Sequence, residues 1–191
     1  MPNGDFTGNI HVDDFGVHNA PLMMALKILA AAILVVAIVL AILLLTPLGA
    51  RPLDAVFSVG DVAPVDFATL SLSSKPNQYL LCPASLCKAK PNASSPVFEL
   101  PADRLRAKWD AMVAKQPRVQ RLNQSADGMQ IDYVQRSARF RFPDLVTVRF
   151  VPISPTQSTL AIYSRSIYGR SDFGVNKKRV EAWLGMLRNG S

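Results

Sequence analysis

Histidine is nearly missing from this chain. Of 191 residues only His11 and His18 carry an imidazole, and none follows residue 18. That removes the Ser-His-Asp and Cys-His arrangements and the HExxH zinc motif from everything beyond the amino terminus. Cysteine is as scarce: Cys82 and Cys87 are the only two, too few for a four-cysteine zinc site. Neither GxGxxG nor GxxxxGK[ST] occurs, so the familiar glycine-rich phosphate cradles are absent. No internal repeat is seen. No metal and no cofactor are expected on these grounds.

What the chain does have is one long apolar run. Ile28 to Leu45 contains no charge and no polar face. With its flanks it reaches about 20 residues, and at roughly 1.5 Å per residue that spans a bilayer core of about 30 Å. A helix buried in a soluble core would keep a polar side. The expectation is a transmembrane helix over residues 23–48, preceded by a polar tail (1–22) in which both histidines are solvated. A cleaved signal peptide needs a basic start and a shorter apolar stretch. Leu48-Gly49-Ala50 does resemble a cleavage site, so that alternative stays open beside the uncleaved anchor.

Charge is divided along the sequence. Residues 76–191 hold 18 Lys and Arg against 8 Asp and Glu, whereas residues 1–75 hold 3 against 6. A basic domain favours anionic partners such as lipid head groups or acidic protein faces, although it also serves plain solubility. Lys27 and Arg51 flank the apolar run on opposite sides and do not decide its orientation. The cysteines bear on it. In LLCPASLCK, four residues and a proline-led turn separate Cys82 from Cys87. A bridge there is feasible if the Cα atoms come within about 4.4 to 6.8 Å, and bridges persist in oxidising compartments. Two reduced, buried thiols are the alternative. A disulfide would place the domain in a periplasm-like space and the tail in the cytoplasm.

A connector rich in Pro and Ser (49–75) leads to the domain, with a strand expected near Val65–Leu72. Leu100-Pro101-Ala102-Asp103 opens a helix, since Pro suits its first turn and Asp its positive end. Leu105, Trp109, Met112 and Val113 recur at helical spacing. Strands are expected over Arg118–Asn123, over Met129–Arg136 after an Asp127-Gly128 turn, and over Thr159–Arg165. In RSARFRFPDLVTVRF, Phe140, Phe142, Val146, Val148 and Phe150 alternate with Arg139, Arg141, Thr147 and Arg149. That period of two predicts half-buried strands with an arginine-bearing outer face. Val180, Trp183, Leu184 and Leu187 form a last amphipathic helix, with Asn189-Gly190 as its stop. The fold expected is a small α+β domain, an antiparallel sheet with helices packed on one face.

PNQYLLCPASLC (76–87), SPVFELPADRL (95–105), RSARFRFPD (136–144) and YSRSIYGRSDFGVNKKRVEAWL (163–184) together resemble domain-of-unknown-function family 1499. The four motifs run in order over nearly all of residues 76–191, with the apolar anchor outside them. The resemblance implies no activity. It implies an association with membranes or envelope compartments in bacteria or plastid-bearing organisms, here a bacterial inner membrane.

SRSIYGRSDFGVNKKR (164–179) is the densest stretch. Gly169 and Gly174 bracket a tight loop that tolerates positive φ. Asp172, Ser171 or Asn176 can cap the helix that follows. Lys177, Lys178 and Arg179 sit at the end of a helix that disfavours cations, so an acidic group is expected to compensate. Two readings compete. In one, Asp172, Asn176 and Gly174 form a structural latch, with Asp172 paired to Arg165 or Arg170. In the other, Arg165, Arg170, Ser164, Ser166 and Lys177 bind an anion with the N–H groups of the helix start. A Ser-Lys pair from Ser164 or Ser166 with Lys177 is a remote third, as is catalysis by Asp144 with Asp172, both of which suit turns and caps. The expectation is a non-enzymatic, single-pass accessory or scaffold subunit of a membrane assembly. An anion- or lipid-binding module is the runner-up, and a hydrolase comes after it. Its partners would be membrane lipids and other membrane-protein subunits, and a membrane-anchored, disulfide-bearing domain is kept from nucleic acid.

Overall fold

The computed structural model describes residues 20–46 and 50–189, so His11, His18, most of the expected tail and Leu48-Gly49 lie outside the described residues. The chain divides into two units, 1–49 and 50–191. In the first, helix α1 (Ala20–Leu45) has Lys27 as its one charged residue. Its span Pro21–Leu43 is long and apolar enough to cross a membrane, and no part of it is buried by protein. It is a candidate membrane anchor. The helix starts three residues before the expected boundary because Ala20, Leu22 and Met23 are good helix formers.

The second unit is α+β. After a short helix α2 (Ala50–Val56), it contains β1 (Gln78–Leu81), α3 (Ala102–Val113), β2 (Val119–Gln124), β3 (Gln130–Arg136), β4 (Pro143–Pro152), β5 (Ser158–Ser166) and α4 (Val175–Asn189). The five strands form one antiparallel sheet in the order β1-β5-β4-β3-β2. β2 to β5 are a meander, whose tight connections suit antiparallel neighbours. β1, from much earlier in the chain, closes the free side of β5.

Side-chain alternation gives the sheet two faces. On one, Ile131, Tyr133, Val146, Val148, Phe150, Leu160 and Ile162 meet the buried stripes of α3 and α4. The α3 stripe is Leu105, Trp109, Met112 and Val113, as its spacing predicts. Trp109 packs edge-on against Trp183 of α4 and against Phe150, at 5.7 and 6.1 Å between ring centroids, the geometry aromatic quadrupoles favour. Both helices thus cover one face, as expected. The other face carries a smaller core of Phe67, Leu80, Cys82, Ala161 and Tyr163. Cys82 and Cys87 are bonded, with their Cα atoms 6.2 Å apart.

Three local expectations differ from the structure. Val65–Leu72 forms no strand; it crosses the second face as irregular chain and buries Phe67. The stretch read as a connector is therefore part of the folded unit from Ala50 on. Residues 138–140 are a turn and 141–142 irregular chain, and β4 begins only at Pro143. Arg139 and Arg141 consequently do not share a sheet face with Arg149. Arg141 has φ 60°, a left-handed backbone that no strand residue adopts. The alternation of Phe and Arg there serves the turn instead. Arg141 grips Asp54 with two parallel bonds, Nε and Nη2 each donating at 2.9 Å. Arg136 adds to it, 3.3 Å from Asp54 and donating to the Phe57 carbonyl at 2.8 Å.

Candidate functional site

The 164–179 stretch ends β5, turns, and starts α4. In the turn, Phe173 and Gly174 are both left-handed, at φ 53° and 78°. Glycine takes this at no cost, whereas a phenylalanine incurs steric strain of roughly 1–2 kcal/mol. Asp172 anchors the turn. Its carboxylate accepts from the N–H of Gly174 at 3.1 Å and of Asn176 at 2.7 Å. It is the cap of α4, and a negative charge there also suits the helix dipole.

Inside the turn lies a polar cluster built on Arg179. Its guanidinium donates to Asp144 and Gln135 at 2.5 Å each, to Asn176 at 2.6 Å and to Ser164 at 2.9 Å. Asn176 passes the network on. It accepts from the Ser164 hydroxyl at 2.6 Å and donates to Ser166 Oγ at 3.1 Å and to the Asn77 carbonyl at 3.0 Å. Asn77 donates in turn to the Gly169 carbonyl at 2.9 Å. The Arg179 and Asp144 side chains are 6 % and 14 % exposed. Charges that deep must be paired and hydrogen-bonded, and this pair is both. Asp144 is thus the acidic partner that the cationic start of α4 requires.

This arrangement sorts the residues singled out in the sequence. Asp172, Asn176 and Gly174 come together as cap and loop. Asp172 makes no ion pair with Arg165 or Arg170 among the described residues; those pairings are corrected by the Asp172 cap and by the place of Arg165. Arg165 projects from the opposite sheet face to Ser164, because neighbours on a strand alternate. It lies 4.8 Å over the Tyr163 ring, and its Nη1 donates to Thr147 Oγ1 at 3.3 Å. Thr147 passes a 2.6 Å bond to buried Asp132. Burial pushes the Arg165 guanidinium below its ordinary value, and Tyr163 and Asp132 oppose that. Arg170 is exposed on the turn. Lys177 is exposed too, 3.9 Å from Glu181. The five anion-site candidates therefore do not converge. Ser164 and Ser166 face the buried cluster, and Lys177 faces water, so neither serine meets that lysine. Asp144 and Asp172 hold Arg179 and the α4 cap respectively.

Above the cluster opens a pocket of about 300 Å³, lined by Phe142, Tyr168, Phe173 and Val175 with Asp144 and Ser166 among its polar groups. Phe142 and Tyr168 each pack edge-on against Phe57, at 4.5 and 5.5 Å, and Phe140 lies 5.7 Å from Phe142. The Tyr168 hydroxyl donates to the Ser58 carbonyl at 2.9 Å. Aromatic groups from the 57, 140 and 168 regions thus share one surface over a fully bonded polar base. Sequence reasoning missed Arg179, Gln135 and Asn77 as its supports. A signal existed for Arg179, which precedes Trp183 by four residues and so falls on the buried stripe of α4.

Among known families, the model described as "Protein of unknown function (DUF1499)" matches residues 70–187. No curated protein matches the chain.

Proposed function

The chain belongs to the DUF1499 family, for which no function is known, and from that premise we propose that it is a non-enzymatic, single-pass membrane protein acting as an accessory or scaffold subunit of a larger envelope assembly. The observation that carries this reading is the Arg179–Asp144 cluster. It ties Ser164, Ser166, Asn176 and Arg179 of the densest motif to one another, and it holds in place an apolar pocket and an aromatic surface. That is the construction of a preorganised binding face, in which fixed geometry reduces the entropy lost on association. The apolar α1 supports attachment to a bilayer, here the bacterial inner membrane. The Cys82–Cys87 bond supports a domain on the oxidising, periplasmic side.

Native mass analysis of the full chain, extracted in mild detergent from its own membranes, tests the reading. Stoichiometric protein subunits on the chain are expected. A chain recovered alone at its natural abundance would end the accessory-subunit proposal. Binding of an anion is the second reading, favoured by Arg139 and Arg170, which make no ion pair among the described residues. Bound lipid in the same spectra, without protein, is its signature.

A further inference from the structure

We propose that the aromatic face around Phe57, Phe142 and Phe173 docks onto the interfacial layer of the bilayer to which the chain is tethered. This rests on α1 being an anchor, and it names lipid rather than a protein subunit as what covers this face. Phe173 is the first observation: its side chain is 89 % exposed although its backbone is left-handed. A phenylalanine held outward in a strained turn gains nothing from the fold's own core. Phe140, Phe142 and Tyr168 beside it are 49 %, 40 % and 39 % exposed. A contiguous exposed aromatic patch marks a docking surface more often than chance.

Charge selects the occupant. The acidic groups around the patch are already committed: Asp54 to Arg136 and Arg141, Asp144 to Arg179, Asp172 to two backbone N–H groups. Arg139 and Arg170, exposed on the two turns that carry Phe140, Phe142 and Phe173, make no ion pair among the described residues. Aromatic rings with guanidinium groups at their edge are the chemistry of a membrane interface, where rings sit at head-group level and cations meet anionic lipid. Chain length supplies the third argument. Leu45 ends α1 and Ala50 begins α2, and five residue steps span at most about 18 Å. A few residues on, Asp54 accepts two bonds from Arg141 in the turn that bears Phe142, and the Phe57 ring packs against that of Phe142. The covalent tether therefore keeps this face within reach of lipid at a high effective concentration.

The full chain with its disulfide intact, carrying Phe173→Cys labelled with an environment-sensitive fluorophore, tests the proposal in vesicles of equal parts phosphatidylcholine and phosphatidylglycerol. Ala126→Cys, exposed in the turn at the far end of β3, is the control. Flotation of each variant establishes that the anchor is inserted, so that failure of the anchor is read separately from failure of docking. A quencher on the acyl chains should dim the label at 173 several-fold more than that at 126. Arg139→Ala and Arg170→Ala should each lower the docked-to-free ratio roughly fivefold in these vesicles and leave it unchanged in pure phosphatidylcholine. Equal, weak lipid quenching at both positions in floating protein would overturn the proposal. So would protection of position 173 from aqueous iodide that grows with protein concentration in detergent, which assigns the face to a second copy. Iodide protection in native membranes without lipid quenching assigns it to a protein partner and overturns the proposal equally.

Discussion

Replacing Asp144 by Asn keeps the size and one acceptor oxygen of the side chain, and removes the charge that neutralises Arg179. The guanidinium, 6 % exposed, would be left among neutral acceptors. Removing one member of a buried ion pair costs about 3–5 kcal/mol. Two features of the site place the cost at the lower end. Arg179 retains its bonds to Gln135, Asn176 and Ser164, and Asp144 borders a pocket open to water. We therefore expect about 3 kcal/mol. For a unit spanning residues 50–191 that corresponds to a fall in Tm of about 10 °C. Calorimetry or urea unfolding of the detergent-solubilised chain measures it, provided the transition of the second unit is two-state. Arg179→Met with Asp144→Asn completes a cycle whose coupling should be about 2 kcal/mol, because each single variant strands the other's partner. A loss below about 1 kcal/mol for Asp144→Asn would refute the buried ion-pair argument, and a coupling near zero would show that the two residues act separately.

Asp172→Ala should cost about 1 kcal/mol through loss of the α4 cap, and Asp172→Asn only a few tenths, because Asn caps as well as Asp; a large loss on Asp172→Asn in urea melts would restore an ion pair to the account. Trp183→Ala should cost roughly 3–5 kcal/mol as a large-to-small change in the core between α3 and α4, while Lys178→Ala, exposed on the same helix, should stay well under 1 kcal/mol; equal losses would mean misassigned helix faces. The bond from Arg141, with the charge of Arg136, holds the Asp54 carboxyl below its ordinary value of 3.8 against the opposing effect of burial. A depressed carboxylate contributes stability that is complete above its unfolded pKa and disappears as pH falls through its folded one. Acid titration should therefore weaken attachment of residues 50–58 only below about pH 4. Asp54→Asn should abolish that dependence, as followed by hydrogen exchange at Phe57; loosening that begins near neutrality would contradict it.

The helices were readable because their signal is local and periodic. Leu105, Trp109 and Met112, or Val180, Trp183 and Leu187, repeat at a spacing only a helix can place on one side. β3 and β5 announce themselves by apolar runs bounded by turn residues, and the Cys82–Cys87 bridge needs only a short span. The failures have a common physical origin in distant contacts. RFRF has strand periodicity, but its conformation is set by Asp54, 87 residues away. Gln78–Leu81 is too short to show a period and becomes a strand because β5 offers it a free edge. Val65–Leu72 has the composition of a strand but runs instead as irregular chain across the second face, where it buries Phe67. The candidate site divides in the same way. The Asp172 cap lies within four residues and could be proposed from sequence; the Asp144–Arg179 bond, 35 residues apart, could only be expected as some acid near the start of α4.

The position of Arg179 links these results. A cation near the start of a helix opposes the dipole, an effect that fades past the first turn; Arg179 sits at the beginning of the second turn of α4, and its burial adds a larger desolvation cost. Apolar residues at 179 and 144 would avoid both and often give equal or greater stability. What they would not give is direction. The guanidinium fork ties α4 to β3, β4 and β5 through Gln135, Asp144 and Ser164 at once, and Asn176 and Asn77 extend the tie to the Gly169 turn. Hydrogen bonds fix angles as well as distances, whereas an apolar contact tolerates sliding. The elements fixed in this way are those that carry Phe142, Tyr168 and Phe173 to the surface. Arg141 and Asp54 fix the remaining one, Phe57, by the same bidentate chemistry. Two of the expensive polar clusters of this domain, Arg179–Asp144 and Arg141–Asp54, thus stand behind its exposed aromatic groups, where orientation matters more than stability, while the Arg165–Thr147–Asp132 chain lies on the opposite sheet face. The core between α3 and α4, which has only to cohere, is left to tryptophan, leucine and valine.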